Sequence, residues 1–240
     1  MKITMIYGNS LQGVSYHYGE MLLSKFPKGT IVERFDANDL PSFCLSCKNC
    51  ILKGENRCVE AKKTQTVFAS MLSSDLIVFS YPVYALNVPA SVKSLLDHLC
   101  YAWMVHRPNE DMFKKKIIIL TNSVGMAFQQ KLAIKSVRIA MNWMGASYVR
   151  AFPVGMMGDV IWGSIKDDSV KKLDESASRA FGWYERNKDK ERMKAGTKFK
   201  FFVCKKMHQS IYESSTEVSL DNQRFLDKKW IKAKKRPMSD

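Results

Sequence analysis

The sequence predicts an α/β fold on a doubly wound parallel sheet, and two observations carry that expectation. Five short runs of apolar β-formers recur along the chain with helical patterns between them, the signature of successive βαβ units. With 240 residues, 46% hydrophobic and 25% charged, the chain is long enough to bury one full core without needing a second domain.

The expected strands are residues 3–7, 30–35, 76–80, 117–121 and 148–152. Residues 15–26, 64–73, 89–105 and 130–144 read as helices, the last stopping at Gly145, where a C-terminal cap would sit. In the third helix Val92, Leu95, Leu96 and Leu99 form an apolar stripe with Lys93 and Asp97 off it, so that helix should pack on the sheet. Met156, Met157 and Trp162 fall in a glycine-bearing loop after the fifth strand, and residues 166–187 read as a final amphipathic helix. Residues 198–240 fit this alternation poorly: Phe201, Phe202 and Val203 make a short apolar run inside a basic stretch, and Trp230 stands near the end. The expected division is a domain over residues 1–190 and a basic extension over 191–240. That extension either wraps the domain or a neighbouring subunit, or is a partly disordered tail.

The net charge of +15 is uneven, with 16 Lys and Arg against 7 Asp and Glu from Arg186 onward. This distribution does not call for nucleic acid; it reads as a solvated surface, or as a site for an anionic partner or phosphate-bearing cofactor. Met1 and Lys2 lead into only a short apolar run before Gly8, and no apolar run reaches the roughly 18 residues of a membrane span. A cytoplasmic protein with no membrane span is expected. Four of the six cysteines, Cys44, Cys47, Cys50 and Cys58, crowd into one segment, which points to metal or redox chemistry more than to a disulfide framework.

In an open parallel sheet ligands bind beyond the carboxyl ends of the strands, where the strand order reverses, so the loops after strands one, three and four matter most. The first runs Gly8-Asn9-Ser10-Leu11-Gln12-Gly13-Val14-Ser15, a small, polar turn into a helix that aims N–H groups and hydroxyls at a phosphate. Neither the GxGxxG nor the Gly-Lys-Ser/Thr nucleotide signature is present, and taken alone these glycines also read as a simple chain reversal. After strand three, Tyr81-Pro82-Val83-Tyr84-Ala85-Leu86-Asn87-Val88-Pro89 offers rings and a stiff backbone to a flat heteroaromatic ligand. Asn122-Ser123-Val124-Gly125 after strand four is small enough for close approach to the same ligand.

These residues carry a resemblance. The first loop resembles the Gly-Ser-Pro-Arg-x-Gly-x-Thr phosphate loop of the NADPH-dependent FMN reductases and related flavodoxin-like oxidoreductases, with Gly8, Gly13 and Ser15 in place and Leu11 where arginine is common. Tyr81-Pro82-Val83-Tyr84, with Val88-Pro89-Ala90-Ser91-Val92-Lys93 and Leu96-Asp97-His98, is similar to that family's Pro-x-Tyr segment and the helix after it. A weaker likeness touches Asp221-Asn222-Gln223-Arg224-Phe225 and Lys229-Trp230. The resemblance implies a flavodoxin-like five-stranded sheet of order 2-1-3-4-5. It implies that Ser10, Gln12, Gly13 and Ser15 hold the phosphate of FMN, with Asn9 and Val14 also at the cofactor. It further implies that Pro82, Val83, Tyr84, Ala85, Leu86 and Asn87, with Asn122, Ser123, Val124 and Gly125, frame the isoalloxazine. NAD(P)H as co-substrate, a small-molecule or protein electron acceptor and a homodimer or homotetramer follow from the same likeness.

The spacing Cys44-x2-Cys47-x2-Cys50-x7-Cys58 repeats the tight interval of ferredoxin-type runs and suits a 4Fe-4S cluster better than zinc. It also resembles the cysteine motif of the iron-sulfur flavoproteins; free or redox-active thiols and zinc are the alternatives. His17, His98, His106 and His208 are scattered without ligand spacing, and none is assigned to a metal. Hydride transfer between nicotinamide and flavin needs no side-chain acid or nucleophile, so no catalytic residue is expected. An FMN electron carrier without a nicotinamide site is the rival reading, and a binding module that has lost flavin is a third.

Overall fold

A computed structural model describes residues 1–233; the end of the expected basic extension, residues 234–240, lies outside the described residues. The sheet comprises β1 (Lys2–Tyr7), β2 (Ile31–Phe35), β3 (Leu76–Pro82), β4 (Lys116–Ser123) and β5 (Tyr148–Gly155). All four pairings are parallel and the order is β2-β1-β3-β4-β5, the flavodoxin-like arrangement.

Strand side chains alternate between two cores, as the period of two requires. Ile77, Phe79 and Tyr81 with Ile117 and Ile119 face one cluster, whereas Leu76 and Val78 with Ile118 and Leu120 face the other. Both faces are covered, so the central strands read as continuous apolar runs. On the first face lie α3 (Ala61–Ser73), α4 (Ala90–His98) and α5 (Lys131–Trp143); on the second lie α1 (Val14–Leu23) and α6 (Asp167–Glu185). In α5 the buried positions Ala133, Ile134, Val137, Ala140 and Met141 make one stripe. Gly145 follows it at φ +103, where an added Cβ would lie 2.2 Å from the Phe113 ring, so both conformation and space require glycine.

Two regions depart from the sequence expectation. The helix expected over 89–105 gives way after His98 to a 3-10 turn over Leu99–Ala102, and Met104 then donates its N–H to the Trp143 carbonyl at 2.7 Å, pulling the chain to the end of α5. The stretch expected to fit poorly forms α7 (Ala195–Ser214) and α8 (Leu220–Asp227). Phe201, Cys204, Phe225 and Ile231 bury against Met104 in a third apolar cluster, with Trp143 and Trp230 at its edge. His208 reinforces the seam, contacting Asn222 Oδ1 at 2.7 Å and the Val105 carbonyl at 3.2 Å. A short α2 (Asn49–Leu52) sits within the cysteine segment. Among the described residues no helix is long and apolar enough to cross a membrane.

Candidate functional site

Strand order reverses between β1 and β3, and there the carboxyl ends of β1, β3 and β4 lie side by side, the place where a parallel sheet of this kind takes its ligands. The three turns expected to line it meet at this rim. Ser15 Oγ donates to Asn122 Oδ1 at 2.7 Å, Ser80 Oγ donates to the Ser15 carbonyl at 2.6 Å, and the Val83 N–H donates to the Asn122 carbonyl at 2.9 Å. Gly8 donates its N–H to the Ser80 carbonyl at 3.0 Å and accepts from Ser91 Oγ at 2.7 Å. Polar contacts between residues distant in sequence thus fix the turns against one another.

In the first turn Gly13 precedes α1 without a side-chain cap, and the helix has no acid in its first turn. Among the described residues the N–H groups of Val14, Ser15 and Tyr16 have no acceptor, which leaves a helix N-terminus open to an anion. Asn9 Oδ1 is buried without a donor, an orphan that a ligand hydroxyl would satisfy. Ser10 and Gln12 are exposed. Ser15 is buried and its hydroxyl is spent on Asn122, so its N–H is the group it offers a ligand. Gly8 is compelled by close approach, since a Cβ there would lie 2.5 Å from the Tyr81 Cβ.

The second turn closes with Tyr84 N–H to the Asn87 carbonyl at 3.1 Å and the reverse bond at 2.8 Å. Its central residues, Ala85 at φ +47 and Leu86 at φ +61, are both left-handed, the geometry usually given to Asn-Gly. Asn87 Oδ1 accepts from the Val88 N–H at 2.9 Å and from Ser136 Oγ at 3.1 Å. In the third turn Asn122 and Ser123 are buried while Val124 is exposed. Buried Gln130 braces it, donating through Nε2 to Ser123 Oγ at 3.0 Å and to the Val154 carbonyl at 2.8 Å and accepting from the Thr121 hydroxyl. The loop after β5 joins the rim through Met156 N–H to Ser123 (2.9 Å) and Gly158 N–H to Val124 (2.7 Å). Trp162 from that loop stacks on His17 at 3.9 Å, and burial holds the His17 imidazole below its ordinary pKa.

Beside the first turn Glu20 accepts from the Tyr7 hydroxyl at 2.6 Å and from Arg34 Nε and Nη2 at 2.9 and 3.0 Å. Burial opposes its ionisation, yet the bonds from Arg34 and Tyr7 prevail and hold the carboxyl below the usual range, while burial pushes the Tyr7 phenol up. Two of the Arg34 nitrogens are thereby engaged by Glu20.

The cysteine segment lies elsewhere, against the C-terminal half of α4. His98 Nε2 approaches the Ser42 carbonyl at 3.0 Å, and because a carbonyl only accepts, Nε2 carries the proton. Nδ1 is then the acceptor for the Cys58 thiol at 3.3 Å. Arg107 ties the segment down, donating to the carbonyls of Cys50 and Ile51 and pairing with Glu55 and with Asp221 of α8. Burial pushes the thiols of Cys50 and Cys58 up, and that of Cys100, with Cys50 beside it, to about 11; Cys47 is exposed. Among the described residues no three Cys, His, Asp or Glu stand together in ligating geometry, so this arrangement is not a preassembled metal centre. From Ser91, which bonds the Gly8 carbonyl of the first turn, to His98 the axial rise is about 10 Å.

Sequence reasoning did not single out Gln130, Arg107 or the His98–Cys58 pair. Each acts through a contact across the fold, and none carries a spacing signal; the Leu96-Asp97-His98 motif was the nearest pointer to His98.

The sequence profile of the NADPH-dependent FMN reductase family matches residues 1–157. An iron-sulfur flavoprotein of Methanocaldococcus jannaschii is 30% identical over 129 residues, 53% of this chain and 60% of that protein. An FMN-dependent NADH:quinone oxidoreductase of a Marinomonas species is 32% identical over 89 residues, 35% of this chain and 45% of that protein. The matches therefore span less than two thirds of either relative. In fold, the chain is similar to an azoreductase from Bacillus anthracis at a TM-score of 0.60 and 20% identity, covering 76% of this chain and 99% of that one.

Proposed function

The chain belongs to the NADPH-dependent FMN reductase family, and from that premise we propose that it is an oxidoreductase holding FMN in the rim crevice. Electrons pass from NAD(P)H through the flavin to a quinone, another flavin, a nitro or azo compound, or a protein. The observation that carries this reading is the meeting of three turns around a helix N-terminus with unpaired N–H groups and an orphaned Asn9 oxygen. Val14, Ser15 and Tyr16 would offer N–H groups to the phosphate, Ser10 and Gln12 side-chain donors, and Asn9 an acceptor for a ribityl hydroxyl. Pro82 to Asn87 and Asn122 to Gly125 would flank the ring.

When bound, FMN supplies the capacity to take up a hydride and release its electrons. The chain's part is orientation: the buried Ser15–Asn122–Val83 bonds keep both ring-flanking turns in register, and the left-handed pair at Ala85 and Leu86 gives the second turn a fixed shape. A homodimer or homotetramer is part of the proposal, supported by the exposed Leu86, Val124, Met126, Phe128, Leu132 and Met157 around the rim. A cytoplasmic location is supported by six free cysteines.

For Cys44, Cys47, Cys50 and Cys58 the donor chemistry and the iron-sulfur flavoprotein among the relatives support ligation of a 4Fe-4S cluster, which would require the segment to close up from the arrangement described. Iron and acid-labile sulfide assays after anaerobic purification test that point. The main reading is tested by stopped-flow mixing of the FMN-loaded protein with NADPH and with NADH. Bleaching of the flavin absorbance by at least one is expected; none by either would leave only a carrier.

A further inference from the structure

Helix α7 carries a second surface unrelated to the flavin crevice. Its inner face, with Phe201, Cys204 and His208, is buried on the fold. Its outer face shows Phe199 at 66% exposure and Phe202, Val203, Met207 and Ile211 at 39–51%. From Arg192 to Tyr212 the sequence has no acid and six lysines and arginines. Lys198, Lys200, Lys205 and Lys206 form no ion pair among the described residues. Beside the helix runs a cleft of about 290 Å³, floored by Phe202, Trp230 and Ile231 and rimmed by Lys205, Lys206 and Lys232, with Glu213 as its acid.

An apolar floor edged by ammonium groups matches an anionic amphiphile. A second copy of this face would set lysine against lysine, and residues 234–240 hold three cations against one acid, Asp240, too little negative charge to neutralise it. From Phe199 to Ile211 the outer stripe runs about 18 Å along the helix, a length suited to lying on a fluid surface. We propose that α7 and its cleft dock the chain on the surface of an anionic phospholipid bilayer. Phe199, Phe202 and Val203 enter the headgroup–acyl boundary, and the lysines reach back to lipid phosphates, as amphipathic interfacial helices do.

Flotation with vesicles of phosphatidylcholine alone and with added phosphatidylglycerol tests this on the full chain. Binding is expected to the anionic vesicles at low salt and to fall at high salt. Lys205→Gln with Lys206→Gln should weaken it roughly 25-fold, at about fivefold per cation near such a surface. Phe199→Ser with Val203→Ser, which keeps every charge, should also weaken it, with circular dichroism showing α7 retained. Independently, Phe202→Trp should gain tryptophan emission that shifts to the blue on anionic vesicles. Three results would each overturn the proposal: no preference for anionic vesicles, including capture of an acidic protein instead; binding unaltered by the apolar pair of substitutions; or vesicle binding without the blue shift.

Discussion

Replacing Gly8 with alanine places a methyl group 2.5 Å from Tyr81 Cβ, 3.1 Å from Pro89 Cγ and 3.3 Å from Val92 Cγ2. Non-bonded carbons settle at about 3.5–4.0 Å, so the ends of β1 and β3 must part by about 1 Å. Tyr81 cannot swing aside, because it is fully buried and its hydroxyl donates to the Ala133 carbonyl at 3.0 Å. Overpacking of this kind costs about 1–3 kcal/mol, and at this chain length each kcal/mol lowers Tm by roughly 2–4 °C, so a fall of about 4–8 °C is expected mid-range. The same displacement stretches the bonds from Gly8 to Ser80 and from Ser91 to Gly8 that hold the first turn, the proposed phosphate site. Losing one such bond should weaken FMN binding about five- to tenfold. Gly163→Ala is the matched control, since a Cβ there meets nothing within 4 Å. Thermal unfolding followed by circular dichroism and FMN titration by fluorescence quenching read the two effects. A Gly8→Ala chain that melts with the control and binds FMN as the unaltered chain does would refute the reasoning.

Other consequences are equally measurable. Gln130→Leu leaves the Val154 carbonyl and Ser123 hydroxyl without their partner and should cost about 1–3 kcal/mol in denaturant unfolding; an unchanged midpoint would mean that water takes over its bonds. Glu20 is held ionised below its ordinary pKa, so its contribution is present above about pH 4.3 and is lost as pH falls through the lowered folded value. Glu20→Gln should therefore flatten the acid limb of a Tm-against-pH curve, and parallel acid limbs would count against the assignment. Alkylation with iodoacetamide near pH 8 should mark exposed Cys47 first and Cys100 late, because burial holds Cys100 protonated until about pH 11; peptide mass spectrometry gives the order, and early labelling of Cys100 would contradict the burial argument.

The sheet was legible because its signal is local. Runs such as Ile117 to Thr121 are apolar on both faces, and Gly145 stops α5 by a conformation that single residues rarely supply. The three turns were also legible, since the strand order alone names which loops border the crevice. What escaped was decided by contacts between distant residues. Ser15 reads as a phosphate ligand from its place in the loop, yet its hydroxyl turns to Asn122, 107 positions away. Residues 198–214 look ill-suited to any element because their apolar positions serve two surfaces, one on the Met104 cluster and one outward, which blurs the helical stripe. Arg107 gives no hint in sequence that it fastens the cysteine segment to α8, because its partners arrive from both directions along the chain.

The pair Ala85-Leu86 invites the protein engineer. Exchanging it for Asn-Gly would suit the backbone already adopted and should raise thermal tolerance by about 1–2 kcal/mol, as other local repairs do. That gain would come at the second turn, where glycine replaces the Leu86 side chain, which is 54% exposed and which the proposed function sets beside the ring. A hardier variant made this way is expected to grip its guest less selectively, so libraries seeking robustness do better to leave these two positions fixed and draw their changes from the solvent side of α3 and α6.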